Sequence, residues 1–306
     1  MHSVGFVGFG EAAKCFARAI SDHSGFEVTV FCDGTHHTPP YDPAFLAELA
    51  DHHAVGVESM KELVSRSEVV FSAVTVDQAE QVGAELLELA NRGQLVVDVN
   101  ASTPSVKARL GTRASAAGVR YVDANLMGAV SIYGHRVQLL SSGTGASSFQ
   151  ADFEPLGFNI EVLDGQAGKA AAVKMLRSVV TKGMEALLVE ALTAARALGI
   201  VDDAFAGICG PMDATTYSDF AVMCIKTDVL HAGRRAVEMD DIATELTQMG
   251  IDPVMTKATT RRLAQSANYE VRDEFLKRPS YDYHDVLDVY HEVTANRAVA
   301  EGREVH

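Results

Sequence analysis

Over the first half of the chain, short apolar runs rich in β-branched residues alternate with longer stretches whose apolar residues recur every three or four positions. The runs Val4–Val7, Val28–Phe31, Val69–Val74, Leu95–Val99, Arg120–Asp123, Val137–Ser141 and Asn159–Leu163 predict strands. Between them, the spacing predicts helices over 11–22, 43–51, 59–66, 77–91 and 104–117. In the fourth of these, Val82, Leu86, Leu87 and Leu89 lie opposite Glu85 and Glu88. Such alternation is the βαβ signature of a mostly parallel sheet. After Gly168 the strand-like runs stop. An Ala- and Leu-rich helical pattern extends from Lys169 through Leu198 and ends at Gly199, followed by helical stretches over 202–208, 216–235, 238–249, 253–267 and 283–299. The expected architecture is an α/β domain over residues 1–163 joined to an all-α domain over residues 164–306.

Composition agrees with two cores rather than one: 306 residues, of which 47% are hydrophobic and 22% charged, exceed what a single core usually serves. Lys plus Arg number 26 against 41 Asp plus Glu, giving a formal net charge of -15. That acidity repels a phosphate backbone, so nucleic acid is not an expected partner, and an anionic small molecule needs a local cationic pocket. Cys15, Cys32, Cys209 and Cys224 show no C-x-x-C spacing and lie in segments that read as buried elements, as expected of reduced thiols in a cytoplasmic protein. The N-terminus enters a strand without a basic stretch and apolar run, and no segment offers the ~20 apolar residues of a membrane span. Neither secretion nor membrane association is expected.

The strongest local motif is VGFVGFGEAAKCFARAI at 4–20, an apolar strand running into Gly8-x-Gly10-x-x-Ala13 and then a helix. In that setting Gly8 permits a tight turn, Gly10 lets a pyrophosphate approach the backbone, Ala13 allows close helix packing, and helix N–H groups meet the phosphates. The first domain therefore reads as a Rossmann domain for NAD or NADP. Gly8, Phe9, Gly10, Glu11, Ala12 and Ala13 form its turn, and Val74, Thr75 and Asn100 follow later strands as further cofactor-binding candidates. Asp33, at the end of the second strand, has the position of the acidic residue that binds ribose hydroxyls, and its carboxylate repels a 2′-phosphate, which favours NAD. The alternative is a turn-forming aspartate before Gly34. The loop GTHHTPPYD at 34–42 then lies where the adenosine ribose is commonly met. His36 and His37 there read as solvated side chains rather than metal ligands, since no carboxylate or cysteine at ligand spacing accompanies them. No metal is expected.

Together with the turn, DVNASTPSVK at 98–107, DANLMGAVSIYGHRVQLLSSG at 123–143 and GQAGKAAAVKMLRS at 165–178 give the chain a resemblance to the β-hydroxyacid dehydrogenase family, which includes 3-hydroxyisobutyrate and 6-phosphogluconate dehydrogenases. The segments KMLRSVVTKGMEALLVEAL and HAGRRAVEMDDIATELTQMG resemble a less characterised branch whose C-terminal domain has no assigned function. The resemblance places Asn100, Ala101, Ser102 and Thr103 beside the nicotinamide as substrate-binding residues, with Ser102 the best hydroxyl donor. It also implies that Lys174, in Gly168-x-Ala170-x-x-x-Lys174, is the catalytic acid/base. A lysine in a desolvated cleft can have its pKa lowered toward neutrality, as proton exchange with a carbinol oxygen requires.

Departures from the family pattern bear on the substrate. Where the family reads Ser-Gly-Gly, this chain has Met127-Gly128-Ala129, so carboxylate binding there falls to the N–H groups of Gly128 and Ala129. Where the family places an asparagine one turn after the lysine, this chain has Arg177 and Ser178, both sharing a face with Lys174. Ser178 can take over the polar role of the amide, and Arg177 can bind an anion bidentately. Lys182 and Glu185 extend the face, either as part of it or as a surface ion pair. His231, Arg234 and Arg235 either close a substrate pocket or form a charged helix surface.

The function the resemblance implies is NAD(P)-dependent hydride transfer between the nicotinamide and a small polar hydroxy or oxo compound, a hydroxy acid or related anion, in a homodimer. Imine reduction is an alternative that the retained Lys174 opposes. A non-catalytic NAD(P)-binding regulator is another, favoured by the missing Ser and Asn and opposed by Lys174 and Ser102.

Overall fold

The computed structural model describes residues 2–34, 37–300 and 302. Among them, eight strands form one sheet: β1 (Ser3–Val7), β2 (Glu27–Phe31), β3 (Ala54–Gly56), β4 (Val69–Ser72), β5 (Leu95–Asp98), β6 (Arg120–Leu126), β7 (Gln138–Ser142) and β8 (Asn159–Val162). Their spatial order is β3-β2-β1-β4-β5-β6-β7-β8. Every neighbouring pair is parallel except β6 with β7, where the chain reverses. The sheet is thus parallel-dominated, as expected, and carries a reversed two-strand edge.

The crossovers are α1 (Glu11–Ser21), α2 (Pro43–Asp51), α3 (Met60–Arg66), α4 (Ala79–Leu89) and α5 (Pro104–Ala117), with α6 (Val130–Tyr133) and α7 (Ala146–Phe153) near the reversal. Local chemistry fixes several of their starts. Asp42, Ser59 and Thr103 accept hydrogen bonds from the N–H groups of Phe45, Glu62 and Val106, and Pro43 and Pro104 occupy first helical positions. β3, α6 and α7 were not expected; β3 and α6 are only three and four residues long, too short to show a period.

Strand residues alternate between two apolar layers. Val4, Phe6, Phe71, Val97 and Val122 face a layer completed by Phe16, Phe149, Phe153 and Phe158, whereas Val7, Val70, Val96 and Tyr121 face Leu63, Leu86 and Leu110. Phe71 is at the centre of the first layer. Its ring stacks on Phe6 at 4.9 Å and meets Phe153 edge-on at 5.3 Å.

The chain divides into two compact units, residues 1–179 and 180–306, and the division falls inside α8 (Lys169–Leu198). The second unit continues with α9 (Val201–Asp213), α10 (Tyr217–Gln248), α11 (Val254–Ala267), α12 (Arg272–Lys277) and α13 (Tyr283–Ala300). The segments expected as separate helices over 216–235 and 238–249 are one helix, α10, because nothing in Ala236–Asp240 breaks it. α9 likewise runs past its expected end at 208 and carries Pro211 inside it. Val229, Tyr269, Phe275, Val286 and Tyr290 form the core of this unit. Glu190, on α8, caps α11 from a distance by accepting the N–H groups of Met255 (2.7 Å) and Thr256 (2.9 Å) and the Thr256 hydroxyl (2.6 Å). Among the described residues, no helix is long and apolar enough to cross a membrane.

Phe71→Ala empties the centre of the aromatic layer. It is expected to destabilise the N-terminal unit by about 3–5 kcal/mol, read as a lower urea midpoint for that unit's transition.

Candidate active site

β1 ends in the Gly8 turn, and Gly8 has φ +88°, a conformation glycine adopts readily. A Cβ at Gly8 would lie 2.4 Å from the Ala73 carbonyl oxygen. Gly10 precedes α1, and a Cβ there would meet nothing within 4 Å, so the space above its backbone is open. With no side-chain cap on α1, its first backbone bond runs from the Lys14 N–H to the Gly10 carbonyl at 2.9 Å. The N–H groups of Glu11, Ala12 and Ala13 therefore have no acceptor within the helix and suit a pyrophosphate. Ala13 is fully buried beneath them.

A cleft of about 820 Å³ surrounds this turn. Six of the ten expected cofactor residues line it: Gly8, Phe9, Gly10, Asp33, Val74 and Thr75. A hydrogen bond from the Thr75 side chain holds the Asp77 carboxyl, also on the wall, below its ordinary pKa. Asn100 lies beneath the wall instead, buried, with its Oδ1 accepting the Val74 N–H at 2.7 Å. The cleft has further lining that sequence reasoning did not single out, including Gln78 and Gln81, and Cys32, expected only as a reduced thiol, also faces it. Lys14 also reaches it, paired with Glu48 at 2.5 Å.

His37 differs from its expected solvated state. Its ring stacks on Phe45 at 3.7 Å and 12°, it lines the cleft, and its Nδ1 is buried without a hydrogen-bond partner. His36 lies outside the described residues. Tyr41 ties the end of the same loop to β2. Its hydroxyl oxygen accepts the Cys32 N–H at 2.8 Å, and its proton is shared between the carbonyls of Cys32 (3.1 Å) and Val57 (3.0 Å). Burial pushes the Tyr41 phenol up to about 12 and the Cys32 thiol up to about 11, so both are protonated at neutral pH. All four cysteines are free; Cys32 is buried, and Cys15, Cys209 and Cys224 are half-buried rather than fully enclosed. No group of three His, Cys, Asp or Glu side chains able to hold a metal occurs among the described residues.

The expected substrate residues come from three segments near the ends of β5 and β6. Ser102 precedes α5, and its hydroxyl is buried with no partner. The Thr103 hydroxyl is occupied in capping α5. Gly128 and Ala129 follow β6, and neither N–H donates to a described acceptor; a Cβ at Gly128 would lie 3.1 Å from the Tyr133 ring. α8 supplies Lys174 and Ser178, both half-buried, and Arg177, whose Nη1 donates to the Met127 carbonyl at 2.6 Å. That contact brings α8 to the Met127–Ala129 segment. None of these residues lines the dinucleotide cleft itself.

Lys182 and Glu185 are exposed, and no ion pair joins them. In the second unit, Arg234 pairs with Glu238 one turn along an exposed face, Arg235 donates to Thr227 at 3.1 Å, and His231 is exposed. Tyr281 meets Phe275 edge-on and donates to the Lys226 carbonyl.

Behind the substrate segments lies a polar group that sequence reasoning passed over. Lys107 is fully buried, 2.9 Å from Asp98 Oδ1 and 3.5 Å from Asp123 Oδ1. Tyr121 donates to Asp98 Oδ2 at 2.6 Å, and burial followed by the nearby carboxylates keeps its phenol protonated. A signal existed: on α5, Lys107 shares a buried stripe with Leu110 and Ala114, where a lone charge calls for a buried partner.

A Gly-rich turn between β1 and α1, at the carboxyl end of a parallel-dominated sheet and followed by a helical region, fits the dinucleotide-binding, dehydrogenase-like class of protein. The family described as the NAD binding domain of 6-phosphogluconate dehydrogenase matches residues 3–150, and a domain of unknown function, DUF1932, matches residues 195–266. A conserved protein of unknown function, described as structurally similar to 3-hydroxyacid dehydrogenases, is 30% identical over 88% of this chain and 98% of its own, with a TM-score of 0.60. An imine reductase from Myxococcus stipitatus, solved with NAD+, is 20% identical over 90% of this chain and 100% of its own, with a TM-score of 0.73. A reductive aminase from Aspergillus terreus, solved with NADPH and ethyl levulinate, is 14% identical over 95% of this chain and 99% of its own, with a TM-score of 0.68. The chain belongs to the β-hydroxyacid dehydrogenase family, in the branch whose C-terminal helical domain has no assigned function. It carries an NAD(P)-binding domain.

The two glycines should respond differently to alanine. Gly8→Ala forces a clash inside the protein and should lower both Tm and nucleotide affinity. Gly10→Ala should leave Tm unchanged while weakening NADH and NADPH binding by about tenfold, or ~1.4 kcal/mol, in a fluorescence titration.

Proposed function

We propose that this protein is an NAD(P)-dependent oxidoreductase acting on a small polar hydroxy or oxo compound that carries an anionic group, with Lys174 as acid/base. The observation that carries this reading is the 2.6 Å contact of Arg177 with the Met127 carbonyl. Lys174 lies one helical turn before Arg177 on the same face, so the contact brings a proton carrier and a guanidinium to the segment holding the free N–H groups of Gly128 and Ala129. A nicotinamide bound in the cleft supplies the hydride acceptor or donor. In the oxidative direction Lys174 Nζ takes the hydroxyl proton as the carbon loses hydride; in the reductive direction its ammonium returns a proton to the oxygen. Arg177, where the family places an asparagine, binds the anionic group together with the N–H groups of Gly128 and Ala129, while Ser102 and Ser178 offer hydroxyls to the rest of the substrate.

Asp33 on the cleft wall supports a preference for NAD, because its carboxylate accepts ribose hydroxyls and repels a 2′-phosphate. We assign dinucleotide binding to residues 1–163 and substrate binding and dimerisation to 164–306. Exposed Val179, Val180, Leu187 and Val189 along α8 favour a homodimer, and the absence of disulfides is consistent with a cytoplasmic enzyme. Reduction of a C=N bond is the competing reaction, prompted by the imine reductase and reductive aminase that share the fold. Lys174, suited to exchanging a proton with a carbinol oxygen, weighs against it.

Purified enzyme with a panel of hydroxy and oxo acids, followed by NADH absorbance, tests the assignment. Lys174→Ala should cut turnover by about 10²–10⁴-fold with NADH binding retained, and undiminished turnover would remove Lys174 from the mechanism. Asp33→Ala should weaken NADH binding by about tenfold and narrow the gap to NADPH; equal affinities for both nucleotides in the unaltered protein would refute the NAD preference.

A further inference from the structure

The buried group around Lys107 contains two carboxylates and one ammonium, and Asp98, Lys107 and Asp123 are all within 1% of complete burial. The ammonium donates to the Asp98 carbonyl (2.7 Å) and lies closer to Asp98 than to Asp123. Asp123 turns instead to α8. Its Oδ2 accepts the N–H groups of Gly168 (2.9 Å) and Ala171 (3.1 Å) and the Ser142 hydroxyl (3.2 Å), while the Ser142 oxygen accepts the Ala170 N–H (3.1 Å). α8 thus has its amino end capped from the middle of β6, 45 residues earlier in the chain. The positive end of the helix dipole offsets the second buried carboxylate.

The other end of the group reaches the cofactor wall. Asp98 Oδ1 accepts the Asn100 backbone N–H (2.9 Å) and side-chain amide (2.7 Å), and Asn100 Oδ1 accepts the Val74 N–H. A path of hydrogen bonds, completed by the 3.5 Å ion pair of Lys107 with Asp123, therefore runs from Val74 through Asn100, Asp98, Lys107 and Asp123 to the first turn of α8. Ala171 is three residues before Lys174, so whatever fixes the Ala171 N–H fixes the turn that carries the lysine.

We propose that Asp123 is a positioning residue: by capping α8 from β6, it sets the place of Lys174 relative to the cofactor wall. As it concerns turnover, this rests on Lys174 being the acid/base; as it concerns the placement of α8, it does not. The competing role for Asp123 is merely to neutralise Lys107. The Asp123→Asn/Lys107→Met double variant separates the two, since it leaves no lysine to neutralise yet still lacks the capping carboxylate.

The experiment compares the full-length double variant with the unaltered chain by Tm, NADH titration, amide hydrogen exchange across residues 168–178, and kcat and KM. Expected are a cooperative fold, NADH affinity within about threefold, exchange at Ala170–Lys174 faster by roughly tenfold or more, and a kcat at least about tenfold lower at unchanged cofactor KM. Native-like exchange together with native kcat would overturn the proposal. If Lys174→Ala proves fully active, the catalytic reading fails while the exchange measurement still decides the placement of α8. Should the double variant not fold, Ser142→Ala leaves every charge in place and removes the acceptor of the Ala170 N–H. Faster exchange at Ala170–Lys174 would then support the cap, and native-like exchange would overturn it.

Discussion

A parallel sheet delivers the carboxyl ends of its strands, and the amino ends of the helices that follow them, to one edge, and most of the chemistry of this molecule depends on that constraint. The Gly8–Gly10 turn, Asp33, Val74 and Thr75, Asn100, and Ser102 all follow strands at this edge. None of them needs a special local fold to be there. Strand length and register place them, with Asp98 on β5 opposite Asp123 on β6. The rest of the chain holds the edge in place: the Phe71 layer on one face and the Leu63, Leu86 and Leu110 layer on the other.

Those helix beginnings that are capped by side chains are satisfied in two ways. α2, α3 and α5 are capped by the residue immediately before them, Asp42, Ser59 and Thr103, as is usual for short side chains. α8 and α11 take their acceptors from far away in sequence, Asp123 and Glu190. A local cap secures only its own helix, whereas a distant carboxylate ties the helix to another element. Breaking a fully buried one leaves charge without a partner, which is among the costlier defects a fold can carry.

This division also explains what could be read from the chain alone. The main strands, the dinucleotide turn, the α5 start at Thr103-Pro104 and the long α8 ending at Gly199 are written in nearby residues, through period two, period three to four, or a cap. β3, α6 and α12 span three, four and six residues and leave no periodic trace, and α10 runs unbroken through Ala236 and Val237, between the two segments that read as separate helices. The turn residues of the site were legible because glycine spacing is local. The stacking of His37 on Phe45, the bracing of its loop by Tyr41, and the reach of Arg177 to Met127, 50 positions back, are contacts between segments with no common pattern. Only Lys107 carried a local sign of its burial.

The reversal between β6 and β7 alters what the last helix of the first unit can contribute. α1 follows a forward strand, so it presents its amino end to the cleft, and its gift is a fractional charge spread over backbone N–H groups. β8 runs the opposite way, and α8 starts at the level of Asp123 and climbs past the edge, reaching Met127 two turns later. The same sheet therefore presents the blunt end of one helix to the cleft and the flank of another to the Met127–Ala129 segment. A blunt end gives polarity without titration; a flank can present whole charges that gain and lose protons. Turning two strands around converts an anion cradle into a place where acid and base chemistry is possible.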